Sequence, residues 1–231
     1  MSRHTELLRD PLPTEPLLVV NQWLAESWKL RQQPNPNSMV IATVDPQGRP
    51  SARVVLCKEI VPQPGYLVFY TNYLSRKGLD LARTPRAAVV MHWDTLHRQV
   101  RIEGPVAQAP AADSDAYFAS RPWQSRLGAW ASAQSQPIGA RKDLQAAVAQ
   151  AAKRFGVPVP GGGSEDSQAA TDYPIPRPPH WGGYHVWAEA VELWVEGEAR
   201  IHDRARWTRA LQKRADGLFE TGPWSSTRLQ P

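Results

Sequence analysis

The sequence predicts a mainly β fold with flanking helices, an α+β arrangement whose economical form is a small antiparallel β-barrel. Three observations carry that prediction. Short runs rich in Val, Ile, Tyr and Phe follow one another from residue 38 to residue 108, turn sequences separate them, and segments with helical periodicity stand on either side. Successive strands joined by tight turns favour antiparallel pairing, and closing them on themselves removes exposed edges.

The elements follow in order. From Pro16 to about Gln32 the residues Leu17, Val20, Trp23, Leu24 and Trp28 recur at helical spacing, and Pro34-Asn35-Pro36 breaks that helix. Strand-like runs come next: SMVIATVD, RPSARVVLCKEI after the Asp45-Pro46-Gln47-Gly48 turn, GYLVFYTN after Pro64-Gly65, RAAVVMHWD and RQVRIEGPVAQ. A helix of about two turns from Ser75 to Arg83 interrupts them. Residues 111–155 read as two or three helices with Pro122 and Pro137 at their boundaries. Residues 156–179, rich in Pro, Gly and Ser and without periodicity, are expected to form a mobile loop. Strand patterns resume over about 183–231, with a last short strand expected at 223–229. No internal repeat is visible, and a single domain over 1–231 is expected.

Composition narrows the function classes. Hydrophobic residues are 42% and charged residues 21%, values of a folding globular chain rather than a disordered or membrane one. No apolar run approaches the roughly 18 residues of a spanning helix, and the polar, Pro-broken start resembles no export signal. A single cysteine, Cys57, excludes an internal disulfide and a cysteine-based zinc knuckle, so a cytoplasmic location is expected. The net charge of +5 is spread along the chain without a basic run, so no nucleic-acid partner is expected, whereas phosphates on small ligands need the same cations. Ten tryptophans are expected in the core or at interfaces, with their N–H groups partnered.

Four clusters carry candidate chemistry, each with a structural alternative. In Arg53-Val54-Val55-Leu56-Cys57-Lys58 two cations stand at the ends of a strand. Their opposite parity directs them to opposite faces unless a bulge or a second subunit reunites them, and solvated strand ends are the commoner explanation of such charges. In Tyr70-Thr71-Asn72 followed by Ser75-Arg76-Lys77, a strand end, a hydroxyl-rich turn and a helix start bring free N–H groups and positive charge to one point, a geometry that suits phosphate. Cations in a first helical turn oppose the macrodipole unless an anion sits there. Tyr117 and Arg121 lie four apart on one helical face, with Ser125 near the start of the next helix, although such a set is common on surfaces. Finally, Trp194 precedes Arg200-Ile201-His202-Asp203-Arg204, where Arg200, His202 and Arg204 alternate onto one strand face and repel unless an anion or electron-rich ring lies between them.

Other chemistries lack their patterns. The six histidines show no ligand pair at metal spacing, no GxGxxG or GxxxxGK[ST] is present, and Ser132 and Ser135 have no GxSxG context. No metal is expected.

Taken together, in order and spacing, the clusters resemble the pyridoxamine/pyridoxine 5'-phosphate oxidase family. RVVLCK resembles that family's flavin-contacting strand, FYTN with SRK its flavin-phosphate turn, and Arg98-Gln99-Val100 its glutamine strand. YFASRPWQSRLGAWAS with Gln134-Ser135 resembles its YF..RP..S..GAW.S.QS block, Trp194 with RIHDR its substrate and flavin strand, and Arg228-Leu229-Gln230-Pro231 its ending. The resemblance covers most of residues 17–210 plus the terminus.

The resemblance implies an FMN-binding split barrel, a homodimer with FMN at the subunit interface, which also resolves the parity of Arg53 and Lys58. It implies FMN binding by Arg53, Val54, Lys58, Tyr70, Thr71, Arg76, Lys77, Gln99, Gln134, Ser135, Trp194 and Arg204. Substrate phosphate falls to Lys58, Tyr117, Arg121 and Ser125, and Arg200 and His202 become the catalytic pair that sets the pyridine ring against the flavin. The implied reaction oxidises pyridoxamine or pyridoxine 5'-phosphate to pyridoxal 5'-phosphate with dioxygen as acceptor. It yields hydrogen peroxide, and ammonia from the amine. Alternatives are a related flavin oxidase of the phenazine-biosynthesis type and a non-catalytic flavin-binding or nucleic-acid-associated split barrel. The chain departs from the family where an Arg-Arg-x-Tyr-like segment is replaced by His4-Thr5-Glu6-Leu7-Leu8-Arg9-Asp10, and in extended segments at 156–179 and 211–223.

Overall fold

Alternating burial along the strands builds the sheet that dominates the computed structural model, which describes residues 7–160 and 173–231. In β5 (Arg86–Trp93), Ala87, Val89, Met91 and Trp93 are buried, and in β6 (Arg98–Gln108) Val100, Ile102 and Val106 are buried at the same period. The remaining strands are β1 (Ser38–Val44), β2 (Pro50–Leu56), β3 (Glu59–Val61), β4 (Tyr66–Asn72), β7 (Trp181–Trp187), β8 (Ala190–Val195), β9 (Asp203–Thr208), β10 (Leu211–Lys213), β11 (Phe219–Thr221) and β12 (Ser225–Leu229). Among the described residues ten strands share one sheet, whose main path is β12-β9-β8-β6-β5-β1-β2, and β10 and β11 form a separate two-stranded pair. The pairings along that path are antiparallel. At the β1–β2 turn, Asp45 Oδ1 accepts from the backbone N–H groups of Gln47 and Arg49, while Gly48 takes φ 78°.

Among the described residues five α-helices accompany the sheet: α1 (Pro16–Leu30), α2 (Arg76–Arg83), α3 (Ala111–Ala119), α4 (Trp123–Ala131) and α5 (Arg141–Phe155). Pro16 opens α1 at a position where its missing N–H costs nothing, and Arg31 ends it in a left-handed conformation. Pro122 caps α4, and Gly156 at φ 63° terminates α5. The expected single run over RPSARVVLCKEI is divided into β2 and β3, because the backbone of Cys57 and Lys58 turns to bond Asn37 and Val68.

The chain divides into two units, one of residues 7–69, 80–107 and 184–231, the other of the described residues within 70–79 and 108–183. The first is the sheet unit. Leu17, Val20 and Trp23 from α1 are buried there, as are Met39, Ile41, Val89, Trp93, Val100, Leu193 and Trp207 from strands. Trp23 meets Trp93 edge-on with centroids 6.5 Å apart. Each fully buried side chain of this size contributes about 1.5–3 kcal/mol by leaving water. Trp93 and Trp207 donate their Nε1–H groups to the carbonyls of Pro36 and Pro13, as expected, whereas Trp187 Nε1 is buried without a partner among the described residues and Trp28 is 48% exposed.

In the helical unit, Trp123, Leu127, Ala151, Ala152, Val157 and Ile175 form the buried cluster between α4, α5 and the chain that follows. Of the loop expected at 156–179, residues 161–172 lie outside the described residues, as do His4, Thr5 and Glu6 of the N-terminal departure. Among the described residues no helix is long and apolar enough to cross a membrane.

Candidate functional site

In the helical unit two clusters grow from consecutive residues at the end of β4. Thr71 is buried, and its Oγ1 accepts from the Lys77 ammonium at 3.0 Å. The same ammonium donates to Ser75 Oγ at 3.1 Å and to Gln134 Oε1 at 2.7 Å. Asn72 Nδ2 reaches the Ser132 carbonyl at 3.3 Å, tying the segment after α4 to the turn before α2. Helix α2 starts at Arg76, and the Ser75 hydroxyl donates to the Asn72 carbonyl at 2.7 Å while receiving the Gly78 N–H at 3.4 Å. Lys77 is 8% exposed, and these three partners are neutral oxygens. Arg76 and Ser135 flank this cluster as exposed residues, with Ser135 held at φ 71°.

Tyr70, one residue before Thr71, opens the second cluster. Its ring stacks on Tyr117 with centroids 3.9 Å apart and on Trp181 at 5.5 Å, the planes 16° and 10° from parallel. Arg121 lies beyond the end of α3, not on its face as the four-residue spacing predicted, because the chain breaks at Ser120 to reach Pro122. Its guanidinium nevertheless returns to the same group, 4.6 Å from the Trp181 ring centroid and 5.4 Å from that of Phe118. Arg121 Nη1 is buried without a hydrogen-bond partner among the described residues. Burial is the chief cause that lowers the Arg121 pKa; the nearby Tyr117 opposes it and the like charge of Arg126 reinforces it. Ser125 sits in the first turn of α4 with its side chain exposed.

Sequence reasoning missed Trp181 and the two glycines after it. A Cβ on Gly182 would fall 2.0 Å from Tyr73 Oη, and one on Gly183 would fall 2.9 Å from both the Tyr70 ring and Ala109 Cβ. The pair Gly182-Gly183 was the available signal, since glycine inside a strand marks close approach by another group.

The sheet unit holds the remaining candidates. Gln99 on β6, Trp194 on β8 and Arg204 on β9 are directly paired in register, so three expected residues form one row across three strands. Arg204 donates from Nη2 and Nε to Glu192 Oε1 at 2.7 and 3.2 Å and from Nη1 to the Gln230 carbonyl at 2.9 Å. Glu192, 3% exposed, also accepts from Arg101 at 3.1 Å, so it is a buried anchor for guanidinium groups. His202 packs its ring on Trp194 with centroids 4.7 Å apart, and its Nδ1 accepts the Gly197 N–H at 3.2 Å. That bond assigns the neutral ring's proton to Nε2.

The one-face strand expected for Arg200, His202 and Arg204 is corrected by the structure. Strand β9 starts only at Asp203; Glu198–Arg200 form a 3₁₀ turn in which Ala199 and Arg200 take φ 51° and 65°. Arg200 is exposed there. The turn is tight because a Cβ at Gly197 would lie 1.8 Å from the Ile201 carbonyl oxygen. Arg53, on β2, donates to Thr43 Oγ1 and Ser51 Oγ at 2.7 Å each and to the Ile41 carbonyl at 3.3 Å, while Val54 beside it is 64% exposed. Lys58 stands exposed past the end of β2.

Residues 29–155 match the family model described as pyridoxamine 5'-phosphate oxidase, and residues 181–231 match the pyridoxine 5'-phosphate oxidase C-terminal dimerisation region. A pyridoxine/pyridoxamine 5'-phosphate oxidase of Paracoccus denitrificans is 43% identical over 227 residues, covering 94% of this chain and 95% of its own. One from Bordetella petrii is 44% identical over 229 residues, covering 97% and 93%. Among solved structures, PhzG from Burkholderia lata, in complex with tetrahydrophenazine-1-carboxylic acid, aligns with TM-score 0.78 and 27% identity over 96% of this chain and 95% of its own. A pyridoxamine 5'-phosphate oxidase-related, FMN binding protein from Nostoc punctiforme shares the fold with TM-score 0.60 at 18% identity, over 92% of this chain and 95% of its own.

Proposed function

The chain belongs to the pyridoxamine 5'-phosphate oxidase family and has its split-barrel fold, and on that premise we propose that it is an FMN-dependent oxidase producing pyridoxal 5'-phosphate from pyridoxamine or pyridoxine 5'-phosphate. The observation that carries the reading is the adjacency of Tyr70 and Thr71. Tyr70 stacks on Trp181, whose ring carries the Arg121 guanidinium with Nη1 unpartnered among the described residues, and Thr71 bonds the buried Lys77 ammonium. Two neighbouring cationic clusters match a reaction in which cofactor and substrate each bring a phosphate.

The residues present fit a flavin mononucleotide. Lys77, Thr71 and Gln134, with Arg76 and Ser135 beside them, offer a cation, a hydroxyl and amide groups for its phosphate and polar edge. Arg53, Val54, Lys58, Tyr70, Gln99, Trp194 and Arg204 complete the proposed set, and Glu192 holds Arg204 in a fixed orientation. Bound FMN supplies the two-electron acceptor for oxidation at C4' and the route to dioxygen.

The chain's own work is to bind and orient. Tyr117, Arg121 and Ser125, with Lys58, hold the substrate phosphate, and charge-assisted bonds to it fix the pyridine ring's register. Arg200 and His202 orient and polarise the ring. His202 keeps its proton on Nε2, so it offers a hydrogen-bond donor there rather than a strong base. The amine substrate yields pyridoxal 5'-phosphate, ammonia and hydrogen peroxide from water and dioxygen, whereas the alcohol yields the aldehyde and peroxide alone. The match at residues 181–231 to a dimerisation region supports a homodimer in which a second copy reunites Arg53 and Lys58 around one ligand. A cytoplasmic location completes the proposal, consistent with the single buried cysteine.

The test is oxygen uptake by the purified protein with each phosphorylated vitamer, with pyridoxal 5'-phosphate and peroxide measured in equal amounts and ammonia from the amine alone. Likeness to PhzG favours one second reading, oxidation of a reduced phenazine carboxylate. Uptake with tetrahydrophenazine-1-carboxylic acid and none with either vitamer selects it.

A further inference from the structure

We propose that Trp181 is a positioning residue for the substrate phosphate: its indole sets the Arg121 guanidinium and, through the stack with Tyr70, the Tyr117 phenol. The inference rests on the phosphate reading given under Proposed function. A guanidinium 4.6 Å from an indole centroid gains a cation–π attraction and gives up none of its five N–H donors. A carboxylate partner would hold Arg121 as firmly, but would occupy those donors and cancel the charge. Trp181 therefore stabilises a desolvated cation while leaving Nη1, which has no hydrogen-bond partner among the described residues, open to an incoming anion.

The indole is itself fixed from several directions. Its backbone N–H donates to the Pro178 carbonyl at 3.1 Å, and its carbonyl accepts from Arg177 Nη1 at 2.7 Å. Arg177 in turn donates from Nε to Asp115 on α3 at 2.6 Å, so the helix carrying Tyr117 is tied to the strand start carrying Trp181. Phe118 closes the edge of the indole with centroids 5.0 Å apart and planes at 68°. Tyr117 and Trp181 are 6° from parallel at 6.2 Å with Tyr70 stacked on both, and Gly183 leaves the room that Tyr70 needs. One side chain thus sets both the hydrogen-bonding phenol and the cation proposed to bind phosphate.

The experiment uses the FMN-loaded enzyme with Trp181→Leu, Trp181→Phe, Arg121→Ala and the double variants. It reads KM and kcat for pyridoxamine 5'-phosphate, and the affinity for 4-deoxypyridoxine 5'-phosphate, which has no oxidisable C4' group, by equilibrium dialysis. Trp181→Leu is expected to raise KM and weaken the dialysed probe about tenfold while kcat changes less than about twofold. Trp181→Phe, with a weaker ring field, falls between leucine and wild type. Arg121→Ala costs less in the leucine background than alone, since the two residues act as one unit. Unchanged KM and probe affinity in Trp181→Leu, or full additivity with Arg121→Ala, overturns the proposal while wild-type activity leaves the oxidase reading standing. A wild type that neither binds the probe nor oxidises the substrate overturns both. If the leucine variant does not fold, the phenylalanine variant and its cycle with Arg121→Ala decide the matter by the same criteria.

Discussion

The Lys77 ammonium donates to Gln134 Oε1 across 2.7 Å, joining the first turn of α2 to an amide 57 positions further along the chain. Buried against Thr71, Ser75 and Gln134 at the start of α2, Lys77 is expected to be a main holder of the flavin phosphate. Lys77→Met should weaken FMN binding by about 10- to 100-fold, the range for losing a charged hydrogen bond. Flavin fluorescence on release, titrated against apoprotein, measures it; an unchanged dissociation constant would remove Lys77 from the site.

Arg200 is exposed in the left-handed turn before β9, and the proposed function gives it contact with the substrate ring rather than with the flavin. Arg200→Ala is therefore expected to lower kcat/KM by about 100-fold or more while FMN stays bound. Flavin-to-protein absorbance ratio and steady-state rates separate the two effects. Loss of FMN in this variant would contradict a role directed at substrate.

Burial pushes the Cys57 thiol up to about 12, against an ordinary value of 9.0. At about pH 8 the thiolate is then on the order of one part in ten thousand, too scarce to react with disulfides or alkylating agents. The folded protein should resist iodoacetamide at that pH and label fully on unfolding, as followed by mass. Rapid labelling of the folded protein would refute a packed, inert Cys57.

The hydrogen bond from Arg206 is the chief cause that holds the Glu103 carboxyl below its ordinary 4.5, with Arg101 adding to it. The folded-state value is depressed, so the stability it contributes is complete above about pH 4.5 and lost as pH falls through the lowered value. Solvent screens this half-buried pair to roughly 1 kcal/mol or less, or about 2–4 °C in Tm. Glu103→Gln should therefore melt lower than wild type near neutral pH, and the gap should close as the pH is lowered. A gap constant down to about pH 3 would show that the carboxylate charge is not what matters.

Strand alternation and proline punctuation made most elements readable, since Val89, Met91 and Trp93 alternate with less buried neighbours and Pro122 opens α4 where expected. The row Gln99, Trp194 and Arg204 was readable only as separate motifs, because register across three strands is a long-range property. Arg200 was misplaced onto a strand face because left-handed backbone at Ala199 and Arg200 has no glycine to announce it. Trp181 passed as a core residue. Its meeting with Tyr70 and Tyr117 depends on Gly182 and Gly183 admitting bulky rings, and residue type alone does not reveal which partner a glycine admits.

The most direct measurement is the visible spectrum of the purified protein, recorded anaerobically while pyridoxamine 5'-phosphate is added. A flavin band that bleaches with one equivalent of substrate per bound flavin, with pyridoxal 5'-phosphate formed in the same amount and colour restored by air, is the expected result. A colourless protein that does not take up FMN, or a flavin band indifferent to both phosphorylated vitamers, would contradict it.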